Sequence, residues 1–183
     1  ADPKAPASDE VIVDIAAVPI NPADLLTIEG KYAIKPPLPA TPGAEAVGTI
    51  SAVGSDVTDV AVGDRVIMLT RENWVQKRKA KATEVIKIAD DGDVLQQAML
   101  KVNPATAQLM LKDYVDLKPG DWVIQDAANS GVGNSVIRLA KSMGVKTVNI
   151  VRREELIAPL TEMGADVVVV DGDDLAMRVA EAV

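Results

Sequence analysis

The segment from Asp121 to Val136 constrains this chain more than any other. A short apolar run, Trp122 to Ile124, reads as a buried strand. It ends in small residues, and a helical pattern follows at Val136, Ile137, Leu139, Ala140 and Met143. Strand, small-residue turn and helix, in that order, form the setting in which a dinucleotide pyrophosphate rests on a helix N-terminus. Such a turn must lack bulk, because its backbone N–H groups approach the phosphates directly. Ala128, Ser130 and Gly133 occupy the three special positions of a relaxed G-x-G-x-x-G, with Gly131 added. The same spacing also serves an ordinary strand–helix turn in any α/β protein, so the surroundings must decide.

Downstream the pattern repeats. Residues 146–151 read as a second strand and 154–163 as a second helix, with Pro159 expected to kink it. Residues 166–170 form a β-branched run expected to be buried on both faces, and a third helix begins at Asp173. Gly144 and Gly164 stop the first two helices. Strands alternating with helices imply right-handed βαβ units and a parallel sheet. A complete dinucleotide fold uses two such halves, and three strands make one.

Upstream the chain reads differently. A Pro-rich lead-in, Ala1 to Ser8, precedes an alternating strand at 10–18. Asn21 caps a short helix at 22–28, with Pro22 at its first position. A loop at 31–42 holds Tyr32 and four prolines. Short strand signals recur at 46–54, 65–69 and 84–88, with an extended basic stretch at 74–81, and together they imply a small, partly open β-barrel. Helical spacing follows at 94–101, Asn103-Pro104 breaks it, and a helix resumes at 105–114. The expected organisation is α/β: a barrel domain over 1–103, then the first half of a Rossmann parallel sheet over 104–183.

Composition removes several function classes. The 183-residue chain is 48% hydrophobic and 25% charged, the balance of a soluble globular protein. Its net charge of −8 argues against nucleic acid as a partner. No apolar run approaches the ~20 residues of a membrane span, and the polar start carries no secretory signal. Cysteine and histidine are both absent, which excludes disulfides, thiolate or imidazole metal sites, and Cys/His or Ser/His catalytic pairs. Phenylalanine is absent as well, and the first residue is not Met, so the chain is expected to begin inside a longer gene product.

The candidate chemistry is sparse. Arg152 and Arg153 end the second strand, about 20 residues past the glycine turn, where the ribose is read. An acid there favours NAD; arginine accommodates a 2′-phosphate and favours NADPH. Two solvated arginines at a strand end are the alternative. Lys77, Arg78, Lys79 and Lys81 suit either an anionic substrate or a solvated edge strand. Trp74 suits a substrate pocket or barrel packing, and Tyr32 is a catalytic hydroxyl or a packed ring.

The order of barrel, Lys118-Pro119-Gly120-Asp121 and small-residue turn resembles the medium-chain dehydrogenase/reductase superfamily, whose barrel domain is GroES-like. Within it the chain looks like the zinc-free trans-2-enoyl-CoA (enoyl-thioester) reductases. The likeness rests on Asn21-Pro22-Ala23-Asp24, on Glu29-Gly30-Lys31-Tyr32, on the run from Val102 to Ala107 and on that from Val123 to Gly133. In the superfamily's alcohol dehydrogenases, Cys and His bind zinc near the positions of Asn21 and Ala44; neither residue type occurs here, so no metal is expected. The resemblance implies NADPH-dependent hydride transfer to a 2-enoyl thioester, as in fatty acid synthesis. It implies Tyr32 as the catalytic residue and Asn21 and Trp74 at the substrate. For the cofactor it implies Thr106, Asn129, Ser130, Gly131, Val132, Gly133, Arg152 and Arg153. Ala44-Glu45-Ala46 stands where these reductases have Asn-Glu-Gly, and Ala46 is expected to strain its backbone. A quinone reductase of the same superfamily and a non-catalytic nucleotide-binding module are the rival readings. The resemblance implies a chain truncated at both ends, a full-length form able to homodimerise, and a cytoplasmic site or, in a eukaryote, the mitochondrial matrix.

Overall fold

The computed structural model describes residues 3–183, so Ala1 and Asp2 of the Pro-rich lead-in lie outside the described residues. The chain divides into two compact units, one ending at Val102 and the other beginning at Asn103.

The N-terminal unit is built on an antiparallel sheet. Its strands are β1 (Glu10–Ala17), β2 (Val47–Val53), β3 (Arg65–Met68), β4 (Lys77–Lys81) and β5 (Val85–Lys87), ordered β4-β1-β2-β3-β5. Alternation along β1 sends Val11 and Val13 into a core with Ile50, Val66 and Met68. The β1–β2 register shifts twice, at Ile12/Val13 and at Ile15/Ala17, which bends that pair. Helix α1 (Pro22–Ile28) starts where the proline predicts, and the Asp24 carboxylate accepts the Asn21 N–H at 3.0 Å. Helix α2 spans only Val94–Gln97, shorter than its spacing predicts. Tertiary partners displace the last turn: the Val102 N–H donates to Glu45 at 2.8 Å, and Lys101 Nζ donates to the Ala44 carbonyl at 2.8 Å.

The C-terminal unit is a three-stranded parallel sheet, ordered β6-β7-β8, with β6 (Trp122–Gln125), β7 (Lys146–Val151) and β8 (Val167–Val170). Helices α3 (Asn103–Lys112), α4 (Gly131–Met143), α5 (Ile157–Met163) and α6 (Leu175–Ala182) complete it. Asn103-Pro104 begins α3 rather than breaking a helix, because in a first turn the missing N–H of proline costs nothing. Pro159 likewise falls in the first turn of α5, after a 3₁₀ turn at Glu154–Leu156, so the expected kink inside one long helix does not arise. Helix α4 begins at Gly131, five residues before the first of its regularly spaced apolar residues. Strand β6 corrects the expectation of burial: Trp122 is 38% and Ile124 60% exposed. It is an edge strand among the described residues, and only Val123 of its apolar run packs into the core. On β8 only Val169 is buried, again short of the two-sided burial its composition predicts.

Candidate functional site

The turn between β6 and α4 is built by close packing. Ala128 is fully buried, and a Cβ on Gly133 would run into the Ala128 backbone, so only glycine lets the helix start lie this near the strand end. Ser130 caps α4, its Oγ accepting the Gly133 N–H at 3.1 Å. The N–H groups of Gly131 and Val132 find no acceptor among the described residues, as the first turn of a helix leaves them. Ala127, just before, holds a left-handed φ of 45°. A buried polar network braces this arrangement. Gln125 Nε2 donates to the Gly133 carbonyl at 3.1 Å and to Asn149 Oδ1 at 2.8 Å, and Asn149 Nδ2 reaches Thr147 Oγ1 at 2.9 Å. Sequence reasoning passed over this network; its signal is Gln125, Thr147 and Asn149, polar residues set among the apolar ones of β6 and β7.

Beside the turn lies a cavity of about 480 Å³ whose lining includes Asp126, Asn129, Arg152, Arg153 and Asp171. These residues follow the carboxyl ends of the three parallel strands, where ligands of open α/β sheets bind. Arg153 pairs with Glu155 at 3.0 Å. Arg152, exposed at the cavity's rim, has no ion pair or hydrogen bond among the described residues, so no side chain there neutralises its guanidinium. The structure therefore brings Asn129, Arg152 and Arg153 together, next to the turn of Ser130, Gly131 and Gly133. The Val132 side chain packs into the α3–α4 core, which leaves only its backbone for binding. Thr106 sits half-buried on α3 and does not line this cavity. Asp126 and Asp171 were not anticipated.

In the N-terminal unit Tyr32 is half-buried at the start of its loop. Its N–H and that of Lys31 both donate to the Leu26 carbonyl, at 3.1 and 2.8 Å, so the end of α1 anchors its backbone. The Arg71 guanidinium carbon lies 5.6 Å from the centre of its ring. Asn21 donates through Nδ2 to Glu45 Oε2 at 2.9 Å, and Glu45 is wholly buried between this amide and the Val102 N–H. Burial pushes the nearby Lys101 ammonium below its ordinary pKa; Glu45 opposes the shift and Arg71 adds to it. Ala46 is buried but does not hold a left-handed φ, so the expected strain there is absent. Trp74 lines an open apolar hollow with Ile15, Val18 and Ile20, and its indole N–H is buried without a partner.

The basic run resolves into ion pairs, two of them across to β1 and two to Glu72 and Asp9 outside that strand. Lys77 meets Asp14 at 2.7 Å, Arg78 meets Glu72 at 3.1 Å, Lys79 meets Glu10 at 3.1 Å and Lys81 meets Asp9 at 3.5 Å. That is the pattern of a guarded edge strand. No helix among the described residues is long and apolar enough to cross a membrane.

Residues 7–98 match the family model of the alcohol dehydrogenase GroES-like domain. A mitochondrial enoyl-[acyl-carrier-protein] reductase of Caenorhabditis elegans is 43% identical over 170 residues, covering 90% of this chain and 49% of that protein. A quinone oxidoreductase structure from Pseudomonas syringae superposes with a TM-score of 0.87 at 32% identity, over 98% of this chain and 56% of the other. The structure of a mitochondrial 2-enoyl thioester reductase of Candida tropicalis with NADP and crotonyl-CoA superposes at 0.86 and 29% identity, over 96% and 57%. The chain thus spans about half the length of the relatives it matches.

Proposed function

The chain belongs to the alcohol dehydrogenase GroES-like domain family of the medium-chain dehydrogenase/reductases, and from that premise we propose that the protein reduces 2-enoyl thioesters with NADPH. The observation that carries this reading is Arg152, an unpaired guanidinium in the cavity at the strand ends, in a chain 43% identical to an enoyl reductase. The residues fit a dinucleotide phosphate: a turn that Gly133 lets lie close to the strand end, first-turn N–H groups of Gly131 and Val132 with no acceptor among the described residues, and an arginine with no partner among them. In this reading Gly131 and Val132 take the pyrophosphate through their N–H groups, Ser130 shapes the turn, and Asn129 lines the floor. Arg152 recognises the 2′-phosphate, with Arg153 beside it. NADPH supplies the hydride for the β-carbon of the enoyl group. Tyr32 would hydrogen-bond the thioester oxygen as negative charge develops there and then give up that proton to the enolate, which completes the addition of hydride and proton across the double bond. Asn21, oriented by Glu45, and Trp74, with its unpartnered N–H, serve the substrate, and Thr106 serves the nicotinamide. The division into a barrel domain over 1–103 and a half-Rossmann domain over 104–183 belongs to the same proposal, as do a homodimer and a mitochondrial matrix location in a eukaryotic source.

The test is NADPH oxidation by the intact protein with crotonyl-CoA, followed by absorbance. Turnover with crotonyl-CoA supports the reading, and turnover confined to quinones overturns it. Quinone reduction is the second reading, favoured by the 32% identity to the Pseudomonas structure.

A further inference from the structure

Arg71 lies outside every motif so far assigned. It follows β3, in a segment that folds back against the end of the Tyr32 loop. Several contacts hold that segment still. Asn73, wholly buried, donates through Nδ2 to the Thr70 carbonyl at 2.7 Å and to the Gly43 carbonyl at 3.3 Å. The Asn73 and Trp74 N–H groups donate to Gly43 and Pro42, at 3.3 and 3.0 Å. A Cβ on Gly43 would collide with the Trp74 backbone, so the two segments touch as closely as glycine allows. Arg78 then clamps the turn itself, reaching the Arg71 carbonyl at 3.3 Å and the Glu72 carboxylate at 3.1 Å.

Glu72 pays for this geometry with a left-handed φ of 71°, a strained conformation for a residue with a side chain. With Glu72 engaged by Arg78, the adjacent acid does not neutralise Arg71. Among the described residues Arg71 makes no ion pair and donates no side-chain hydrogen bond; its contact is the face of Tyr32, 5.6 Å from the ring centre. A guanidinium at that distance is within cation–π range. The Tyr32 hydroxyl has no hydrogen-bond partner among the described residues either, so α1 fixes the backbone of Tyr32 and Arg71 faces its ring.

We infer that Arg71 is a positioning residue for Tyr32: it holds the ring in one orientation and stabilises negative charge as it builds on the phenol oxygen during proton donation. The inference rests on the enoyl-reductase reading of Tyr32. A cation over an aromatic face attracts the ring's electrons through its quadrupole, and it gains more as the ring becomes electron-rich. The effect therefore belongs to the transition state and reads out in kcat rather than KM.

Three measurements test it. In NMR spectra of the 183-residue chain, the Arg71 side-chain protons are expected at ring-current-shifted positions that Tyr32→Leu abolishes; unshifted signals in the unsubstituted chain overturn the contact and the inference. In the intact protein turning over crotonyl-CoA, Arg71→Met is expected to lower kcat about fivefold with KM unchanged, and Arg71→Lys to restore most of it. In a Tyr32→Phe background, Arg71→Met is expected to cost nothing further. An equal loss in both backgrounds, or a loss confined to KM, overturns the inference while leaving the enzyme reading intact. If Tyr32→Phe itself turns over normally, the role of Tyr32 falls and the inference falls with it.

Discussion

The two candidate regions are held in place by different means. At the start of α4, position follows from topology: a strand, a tight turn and a helix recur in every βαβ unit, and one glycine contact against Ala128 brings the helix start close. Around Tyr32, position follows from particular partners: Leu26 at its backbone and Arg71 at its ring, with Asn73 and Gly43 holding the Arg71 segment, on stretches up to 47 residues apart in sequence. The first kind of region tolerates change in most side chains and fails at one. The second depends on several contacts, each of which contributes modestly.

The largest expected effect breaks the Tyr32 side of this comparison. Tyr32→Phe in the intact protein should lower kcat with crotonyl-CoA by roughly 10²-fold or more, the lower end for a positioned acid; steady-state kinetics check it. The next breaks the α4 side. Gly133→Val should destabilise the C-terminal unit by about 3 kcal/mol, because the new side chain meets backbone that cannot swing away. Urea unfolding of the 183-residue chain measures this.

Arg152→Gln sharpens the comparison by separating binding from folding. It should reduce kcat/KM for NADPH about tenfold, leave NADH use unchanged, and leave the melting temperature where it was.

A fourth prediction concerns pH and the N-terminal unit. The carboxyls of Glu10, Asp14, Asp56 and Asp64 are all held below their ordinary range. The leading causes are the Ala7 N–H for Glu10, Lys77 for Asp14, the Ser8 hydroxyl for Asp56 and Lys87 for Asp64. A lowered carboxylate pKa contributes stability that is present above the unfolded value and lost as pH falls through the folded one. Thermal stability of this unit should therefore decline as pH drops below the ordinary carboxylate range. Circular dichroism melts across that range check the sign. The Lys101 shift acts at the other end: its lowered pKa adds stability as pH rises from the folded value toward 10.5. The smallest effect belongs to Lys79→Gln, which removes one solvent-screened pair on β4 and should move the melting temperature by less than repeat melts differ.

The local signals that survived folding were those written in short-range chemistry. Pro22 opened α1, Gly144 closed α4 in a left-handed conformation, and the period-two pattern of Val11 and Val13 named their buried face. The failures came where a distant residue intervened. The last turn of α2 yielded to Glu45 and Ala44. Trp122 and Ile124 looked buried because they are apolar, yet burial depends on what covers a strand, and among the described residues β6 pairs only with β7. Asn103-Pro104 looked like an interruption because proline reads the same at a helix start and at a break.

The amino-acid sequence by itself determined the alternation of strand and helix after Asp121, the exclusion of cysteine and histidine chemistry, and the small residues that a close turn demands. Each of these depends on the residue itself or on neighbours a few positions away. Only the tertiary structure decided that Arg152 has no partner among the described residues while Arg153 is engaged, that the basic run of β4 pairs with Asp14, Glu72, Glu10 and Asp9, and that Arg71 faces Tyr32. Those outcomes depend on which distant groups reach within a few ångströms, and no local pattern in the chain encodes that.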